Sequence, residues 1–255
     1  MANVMITGAS SGLGASLAKQ FAARGDHLLL IARRELLLAE LQAELLAAGA
    51  PSVEFRVVDL ADEMQVQQLA EDLPKLGVDV LINNAGLGHW DLSWNTTSEM
   101  MRTMIAVNMS AVAVLSLAFS KIKHKQPARL MNVASGAGYA LFENSIPYSA
   151  SKFFVTALTE GISQELSTHK LAMRAQLLAP GPIATEFMIN AMQGSKIDME
   201  NVQGMDKIKF HTPEQMAELA MQLYDSDAVV GAVQGDMSFA LSGGLHKVGD
   251  LLDFT

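Results

Sequence analysis

Short apolar runs alternating with longer helical patterns constrain this chain more than any other feature of its sequence. The runs Asn3–Ile6, His27–Ala32, Val53–Val58, Val78–Ile82, Arg129–Val133, Met173–Leu178 and Met237–Leu241 read as strands. Helical patterns lie at Gly12–Arg24, Arg34–Ala48, Glu63–Leu73, Ser98–Lys123, Pro147–His169 and Pro213–Ser226. A strand that is apolar along its whole length is buried on both faces, and crossover helices are what cover those faces. The expected architecture is therefore α/β, a doubly wound parallel sheet of seven strands with helices on both sides. No repeat or charged linker marks a boundary, so residues 1–255 are expected to form one domain. Periodicity weakens between Thr185 and Thr212, where Met188, Met192, Met199 and Met205 recur. Residues 186–212 thus read either as a substrate-binding lid or as a short amphipathic helix packing its methionines inward.

Composition removes several classes of function. Apolar residues make up 50% of the chain and charged residues 18%, enough core to exclude disorder. There is no cysteine, which excludes a disulfide scaffold. The six histidines (His27, His89, His124, His169, His211 and His246) are dispersed, and no metal site is expected. Lys and Arg number 18 against 27 Asp and Glu, a net charge of −9, which argues against nucleic acid or an anionic membrane as partner. No basic segment precedes the first strand. The longest apolar stretch, Ile105–Phe119, is interrupted by Asn108, Ser110 and Ser116, so a soluble cytoplasmic protein is expected. Neither a Gly-x-Ser-x-Gly elbow nor a Walker-type ending is present.

Doubly wound sheets bind ligands at the carboxyl ends of their strands. The first strand runs into Thr7-Gly8-Ala9-Ser10-Ser11-Gly12-Leu13-Gly14 and then a helix. Such a turn lets a pyrophosphate approach the backbone at a helix N-terminus, though alone it would also serve as a tight connection with no ligand. The second strand ends in Ala32-Arg33-Arg34, where a dinucleotide fold selective for NAD usually places an acid. Arg33 directly after the strand favours a 2′-phosphate and hence NADP(H), while Arg34 reads as the opening of a solvated helix. Asp59 suits an adenine amino group or a helix cap, with Asp62 better placed for the cap. Asn83-Asn84-Ala85-Gly86 leaves room for a flat ring and equally suits an ordinary turn. Asn108, among apolar neighbours, must be bonded to something specific, either backbone or an ordered water leading to the active site.

Ser135 follows the fifth strand, and Tyr148 and Lys152 stand four apart at the start of a helix, on one face. An ammonium beside a phenol lowers its pKa toward the range useful for acid–base catalysis, and Ser135 can donate to a substrate oxygen. An exposed Tyr–Lys pair with a remote serine would show the same spacing. Pro180-Gly181-Pro182-Ile183-Ala184-Thr185 after the sixth strand reads as a rigid turn from which Ile183 and Thr185 would face the cleft, or as a plain loop.

In this order the motifs resemble the short-chain dehydrogenase/reductase superfamily of the Tyr-x-x-x-Lys type, from Thr7 to about Gly244. The resemblance implies a Rossmann-type sheet of order 3-2-1-4-5-6-7 and an NADP(H)-dependent oxidoreductase acting on a carbonyl/alcohol pair. Tyr148 would transfer the proton, Lys152 would lower its pKa and hold the nicotinamide ribose, Ser135 would orient the substrate, and Asn108 would anchor a water relay. The cofactor would touch Gly8, Ser10, Ser11, Gly12, Leu13, Gly14, Arg33, Asp59, Leu60, Asn84, Ala85, Gly86, Tyr148, Lys152, Pro180, Gly181, Ile183 and Thr185. A homo-oligomer, dimer or tetramer, would assemble through Ser98–Lys123 and Pro147–His169, and the tail Leu245–Thr255 would serve that interface or a neighbour's site. The pocket walls, Leu87–Trp94 and Gly136–Ile146 with the methionine-bearing segment, are apolar apart from His89, Asp91 and Glu143 and favour an apolar carbonyl substrate. Two other readings stay open: a catalytically idle dinucleotide-binding sensor or scaffold, and an isomerase or dehydratase that retains its NADP.

Overall fold

The computed structural model describes residues 1–193, 195, 197 and 209–245. The strands are β1 (Asn3–Thr7), β2 (His27–Ala32), β3 (Val53–Val57), β4 (Val80–Asn83), β5 (Arg129–Val133), β6 (Arg174–Ala179), β7 (Val230–Val233) and β8 (Phe239–Ser242). Between them run α1 (Gly12–Ala23), α2 (Glu35–Ala47), α3 (Glu63–Leu76), α4 (Ser98–Met104), α5 (Ala111–Lys123), α6 (Ile146–Thr168), α7 (Glu186–Met192) and α8 (Pro213–Asp225). They form one sheet of order β3-β2-β1-β4-β5-β6-β7-β8, parallel from β3 to β7.

Side chains alternate between the two faces, as pleating dictates. Val4 and Ile6 of β1, with Leu28 and Leu30 of β2, pack with Leu17, Phe21, Leu38 and Met216 of α1, α2 and α8. Met5, Leu29 and Ile31 point the other way, onto Leu69 of α3, Leu115 and Phe119 of α5 and Ile162 of α6. Each fully buried leucine or phenylalanine here contributes about 1.5–3 kcal/mol. The helix ends are specified locally. Asp62 caps α3 by accepting from the Met64 and Gln65 amides, and Thr212 and Gln215 form a capping box on α8.

The strand order is the expected one, extended by β8. The seventh place, however, belongs to Val230–Val233, whereas the run expected there, Met237–Leu241, supplies most of β8, which folds back antiparallel onto β7. Met237 itself sits at φ 70° in the intervening turn. The reason is Gly231, too weak a strand former to be read locally. Its missing side chain makes room for Phe239, whose ring would lie 2.5 Å from a Cβ at that position.

Ser98–Lys123 is a single long helical run in the sequence reading but three segments in the structure. Between α4 and α5, Ile105–Ser110 winds as a π-helix, a form concentrated at functional sites. By length and hydropathy alone this run could cross a membrane, contrary to the shorter, interrupted stretch read from the sequence. Here Val112, Leu115 and Phe119 are buried in the core. Of residues 186–212, α7 accounts for the beginning, while Met199 and Met205 lie outside the described residues.

Candidate active site

β1 pairs with β2 on one side and β4 on the other, so the crossovers reverse direction beside it. At the carboxyl ends of these strands the reversal leaves a cleft of about 960 Å³. Of the residues singled out from the sequence, Gly8, Ser10, Ser11, Gly12, Leu13, Arg33, Asp59, Leu60, Asn84, Ala85, Gly86, Ser135, Tyr148, Lys152, Pro180, Gly181, Ile183 and Thr185 line it. Gly14 and Asn108 do not.

The glycine turn is laced to the end of β4. Thr7 Oγ1 accepts from the Asn84 and Ala85 amides at 3.0 and 3.1 Å, and Asn84 Nδ2 donates to the Thr7 and Gly8 carbonyls at 3.0 and 3.3 Å. Gly8 has φ +67°, and a Cβ on it would lie 2.8 Å from Ala85 Cα, so no other residue fits. Gly14 plays a packing role instead of facing the cleft. A Cβ there would run into the Gly8 carbonyl and stand 2.6 Å from Asn84 Nδ2, so its absence is what lets α1 sit directly on the turn. Ser11, at the N-cap of α1, makes no side-chain cap bond, and the first turn carries no acid. The positive end of the helix therefore faces the cleft unneutralised, as an anion site requires.

At the outer edge the two arginines behave differently. Arg34 donates to Ser10 Oγ at 3.2 Å and Ser11 Oγ at 2.5 Å, and pairs with Glu186 of α7 at 2.7 Å. It opens the solvated helix α2 as expected, standing at its N-cap, and in addition ties the glycine turn to α7. Arg33 also lines the cleft and, among the described residues, has no ion-pair partner. Asp59 keeps its carboxylate local, with Oδ1 accepting from the Ala61 amide at 3.0 Å.

At the inner end, Ser135 leaves β5 and accepts from the Ala137 amide at 3.1 Å. Tyr148 and Lys152 lie one turn apart on α6. Lys152, 4% exposed, donates to the Val133 carbonyl at 2.9 Å, and its Nζ is 5.7 Å from the centre of the Tyr148 ring. Ser135 also hydrogen-bonds the Tyr148 hydroxyl. Burial pushes the Tyr148 phenol up to about 12, with the Ser135 bond acting in the opposite sense. Burial likewise pulls Lys152 down to about 8. The phenol is thus less acidic than the four-residue spacing suggested, because desolvation outweighs the Ser135 bond.

Asn108 lies in the π-helical segment and is fully buried. Its Oδ1 accepts from the Leu87 amide at 2.8 Å, and its Nδ2 donates to the Leu87 carbonyl at 2.8 Å and to Ser151 Oγ at 3.0 Å. The backbone of a neighbouring element, one of the two partners considered for it, is bonded to it through Leu87. Gly86 separates it from Lys152, since a Cβ there would be 3.4 Å from Lys152 Nζ and 3.5 Å from Asn108 Oδ1. Sequence reasoning missed Phe187, whose ring centre is 5.8 Å from that of Tyr148. It also missed the buried Asn83–Asn132–Ser116–Thr159 network beneath the site. Neither carries a local signal, because each depends on residues far apart in the chain.

The pattern of the short chain dehydrogenase family matches residues 2–196. This chain belongs to the short-chain dehydrogenase/reductase family. It is 35% identical over 192 residues to dehydrogenase/reductase SDR family member 11 of Gallus gallus, covering 72% of this chain and 75% of that protein. The Homo sapiens protein of the same name is 30% identical over 234 residues, 88% of each chain. A short-chain dehydrogenase from Sphingobium yanoikuyae, solved with NADPH, superposes with a TM-score of 0.80 at 28% identity, over 90% of this chain and 87% of that one. Another from Burkholderia phymatum, solved with NAD, gives 0.76 at 26% identity over 87% and 84%. The chain is an NAD(P)-dependent short-chain dehydrogenase/reductase.

Proposed function

We propose that the protein is an NADP(H)-dependent reductase of carbonyl compounds in which Tyr148 is the proton donor. One observation carries the reading. A single cleft runs from the uncapped N-terminus of α1, past Arg33 and Arg34, to Ser135, Tyr148 and Lys152.

The residues present fit a dinucleotide. Gly8, Gly12 and Gly86 line the cleft and expose backbone to it, and at Gly8 and Gly12 the positive φ suits the tight turn a pyrophosphate needs. A nicotinamide bound there supplies or accepts a hydride. The positive end of α1 suits the pyrophosphate, and Ile183 and Thr185 stand beside the inner end. Arg33, with no ion-pair partner among the described residues, would meet a 2′-phosphate, as would Arg34 where it stands over Ser10 and Ser11.

Ser135 would donate to the substrate oxygen and hold it beside Tyr148. With its phenol pushed up to about 12, Tyr148 is protonated at neutral pH and so poised as an acid. As a carbonyl oxygen turns into an alkoxide it becomes far more basic than a phenolate, and the proton passes to it. Lys152, fixed by the Val133 carbonyl, would stabilise the phenolate left behind. Leu87, Phe142, Phe187 and Met188 give the substrate end an apolar wall, in keeping with a medium-sized apolar carbonyl compound. Residues 186–212 would act as the lid over this end. Leu117 of α5 and Phe153 of α6, 54% and 40% exposed, would be covered in a homo-oligomer.

The test is a panel of ketones and aldehydes assayed by loss of reduced-nicotinamide absorbance with each cofactor. Turnover with NADPH at a higher kcat/KM than with NADH is expected. Silence throughout, despite tight NADPH binding, would overturn the reading in favour of an idle binding protein.

A further inference from the structure

The loop after β4 holds two side-chain nitrogens that the fold leaves unsatisfied. His89 is 9% exposed, and both His89 Nε2 and Trp90 Nε1 are shut off from solvent with no hydrogen-bond partner among the described residues. Their backbone is tied on both sides. The His89 carbonyl accepts from Ser145 Oγ at 3.1 Å, and the Trp90 amide donates to the Ala191 carbonyl at 2.8 Å. The loop is thus held between the start of α6 and α7, while the two ring nitrogens are buried without a partner among the described residues. Buried polar atoms are nearly always bonded, because leaving one unpaired is costly.

Both residues line the substrate end of the cleft. Phe187 relates them to the reacting centre: its ring packs on Tyr148, and its edge would lie 2.9 Å from a Cβ on the neighbouring Gly88. Gly88, next to His89 in the chain, is thus linked to Tyr148 through the Phe187 ring, and His89 and Trp90 line the same cleft as Tyr148. An indole N–H can only donate, and an imidazole nitrogen donates or accepts according to tautomer. An oxygen with lone pairs is the kind of group that can satisfy either nitrogen.

Resting on the carbonyl-reductase reading above, we infer that His89 and Trp90 form a polar subsite for a second oxygen function of the substrate. The natural substrate is then a bifunctional compound, a diketone or hydroxyketone, with an apolar spacer between the carbonyl at Tyr148 and the oxygen at His89 and Trp90. The apolar wall of Phe187 faces the spacer. A site built to hydrogen-bond an oxygen discriminates against analogues lacking it far more strongly than an apolar pocket discriminates by size.

The experiment compares the hexanediones with the hexanones as substrates, with NADPH, for the parent protein and for His89→Phe and Trp90→Phe. At least one dione should exceed its monoketone in kcat/KM by about tenfold or more, beyond the statistical factor for two carbonyls, and both variants should draw the ratio toward one. A second readout needs no turnover. The chain has two tryptophans, and Trp94 is 80% exposed. In the NADP-loaded protein, the indole N–H resonance that disappears in Trp90→Phe should move on adding a hexanedione and stay in place on adding hexanone. That shift without turnover of any ketone would support the subsite while overturning the reductase reading. Monoketone turnover with neither a dione preference nor a shift would overturn the subsite and leave the reductase reading standing.

Discussion

Lys152 Nζ lies 5.7 Å from the centre of the Tyr148 ring but spends its hydrogen bond on the Val133 carbonyl, 2.9 Å away. The pair shares one face of α6, yet burial governs both groups, holding the phenol near 12 and the amine near 8. A neutral phenol is a competent acid for carbonyl reduction. Tyr148→Phe removes that proton and little else, because the ring still packs on Phe187. The kcat for ketone reduction should fall on the order of 10²–10⁴-fold. NADPH affinity, measured by nucleotide fluorescence, should stay within about threefold, since the hydroxyl is one contact among many along the cleft. Retained turnover would remove Tyr148 from the chemistry.

The depressed Lys152 carries a stability consequence whose sign is fixed by linkage. Its folded value, about 8, lies below the ordinary 10.5, so the folded protein holds this proton less tightly than the unfolded chain. Below about pH 8 the folded state carries the full cost of a buried cation, only partly offset by Val133. As pH rises from about 8 toward 10.5 that cost is relieved. Tyr148 works oppositely: raised from 10.0 to about 12, it costs stability as pH climbs through that window. Lys152→Met keeps the apolar stem and deletes the charge. Its Tm at pH 7 should exceed the parent's by roughly 2–4 °C per kcal/mol of relieved desolvation, while activity is lost. The gap should close as pH approaches 10. Thermal scans across pH 6–10 check this, and a lower Tm at pH 7 would show that the Val133 bond outweighs burial.

What could be read without coordinates follows from how local each signal is. The apolar runs of β1 to β6 declare themselves because each is buried on both faces, and Thr7, Gly8 and Asn84 announce a turn because only such residues build one. Asp62 as a cap was legible for the same reason. Val230–Val233 was not, since a glycine in a four-residue strand is explained only by Phe239 arriving from β8. Asn108 could be seen to need a partner, but neither the identity of Leu87 as that partner nor the π-helical segment presenting the side chain follows from nearby residues. Arg34 reads as a helix opening until α7, more than a hundred positions later, brings Glu186 to it.

The two arginines make separable predictions. Arg33 points into the cleft with no ion-pair partner among the described residues, so Arg33→Asp replaces a receptor for a 2′-phosphate by one for a 2′-hydroxyl. The NADPH-to-NADH ratio of kcat/KM should fall by about tenfold or more, as the loss of a charge-assisted hydrogen bond implies. Arg34→Gln keeps a donor for Ser10 or Ser11 but loses the Glu186 pair. It should weaken NADPH binding by a smaller factor and leave NADH nearly unaffected. Steady-state kinetics with both cofactors decide the matter; an unchanged ratio in Arg33→Asp would transfer cofactor selection to Arg34.

Gly88 controls how closely α7 approaches the reacting centre. A Cβ there would stand 2.7 Å from the Ala191 Cβ and 2.9 Å from the Phe187 ring. Phe187 can rotate but Ala191 cannot, so Gly88→Ala must displace α7, and with it the ring that packs on Tyr148. Overpacking of this kind costs about 1–3 kcal/mol of stability. The glycine turn and Arg33 lie toward the far end of the cleft and meet α7 through the Arg34–Glu186 pair, which is exposed and can follow a small shift. The kcat/KM for ketones should therefore drop about tenfold or more through a misplaced wall, while the NADPH Kd holds within about twofold. Parallel measurement of the two constants checks the division of the cleft into a nucleotide end and a substrate end. Equal losses in both would mean that α7 also orders the nucleotide half, through Glu186 and Arg34.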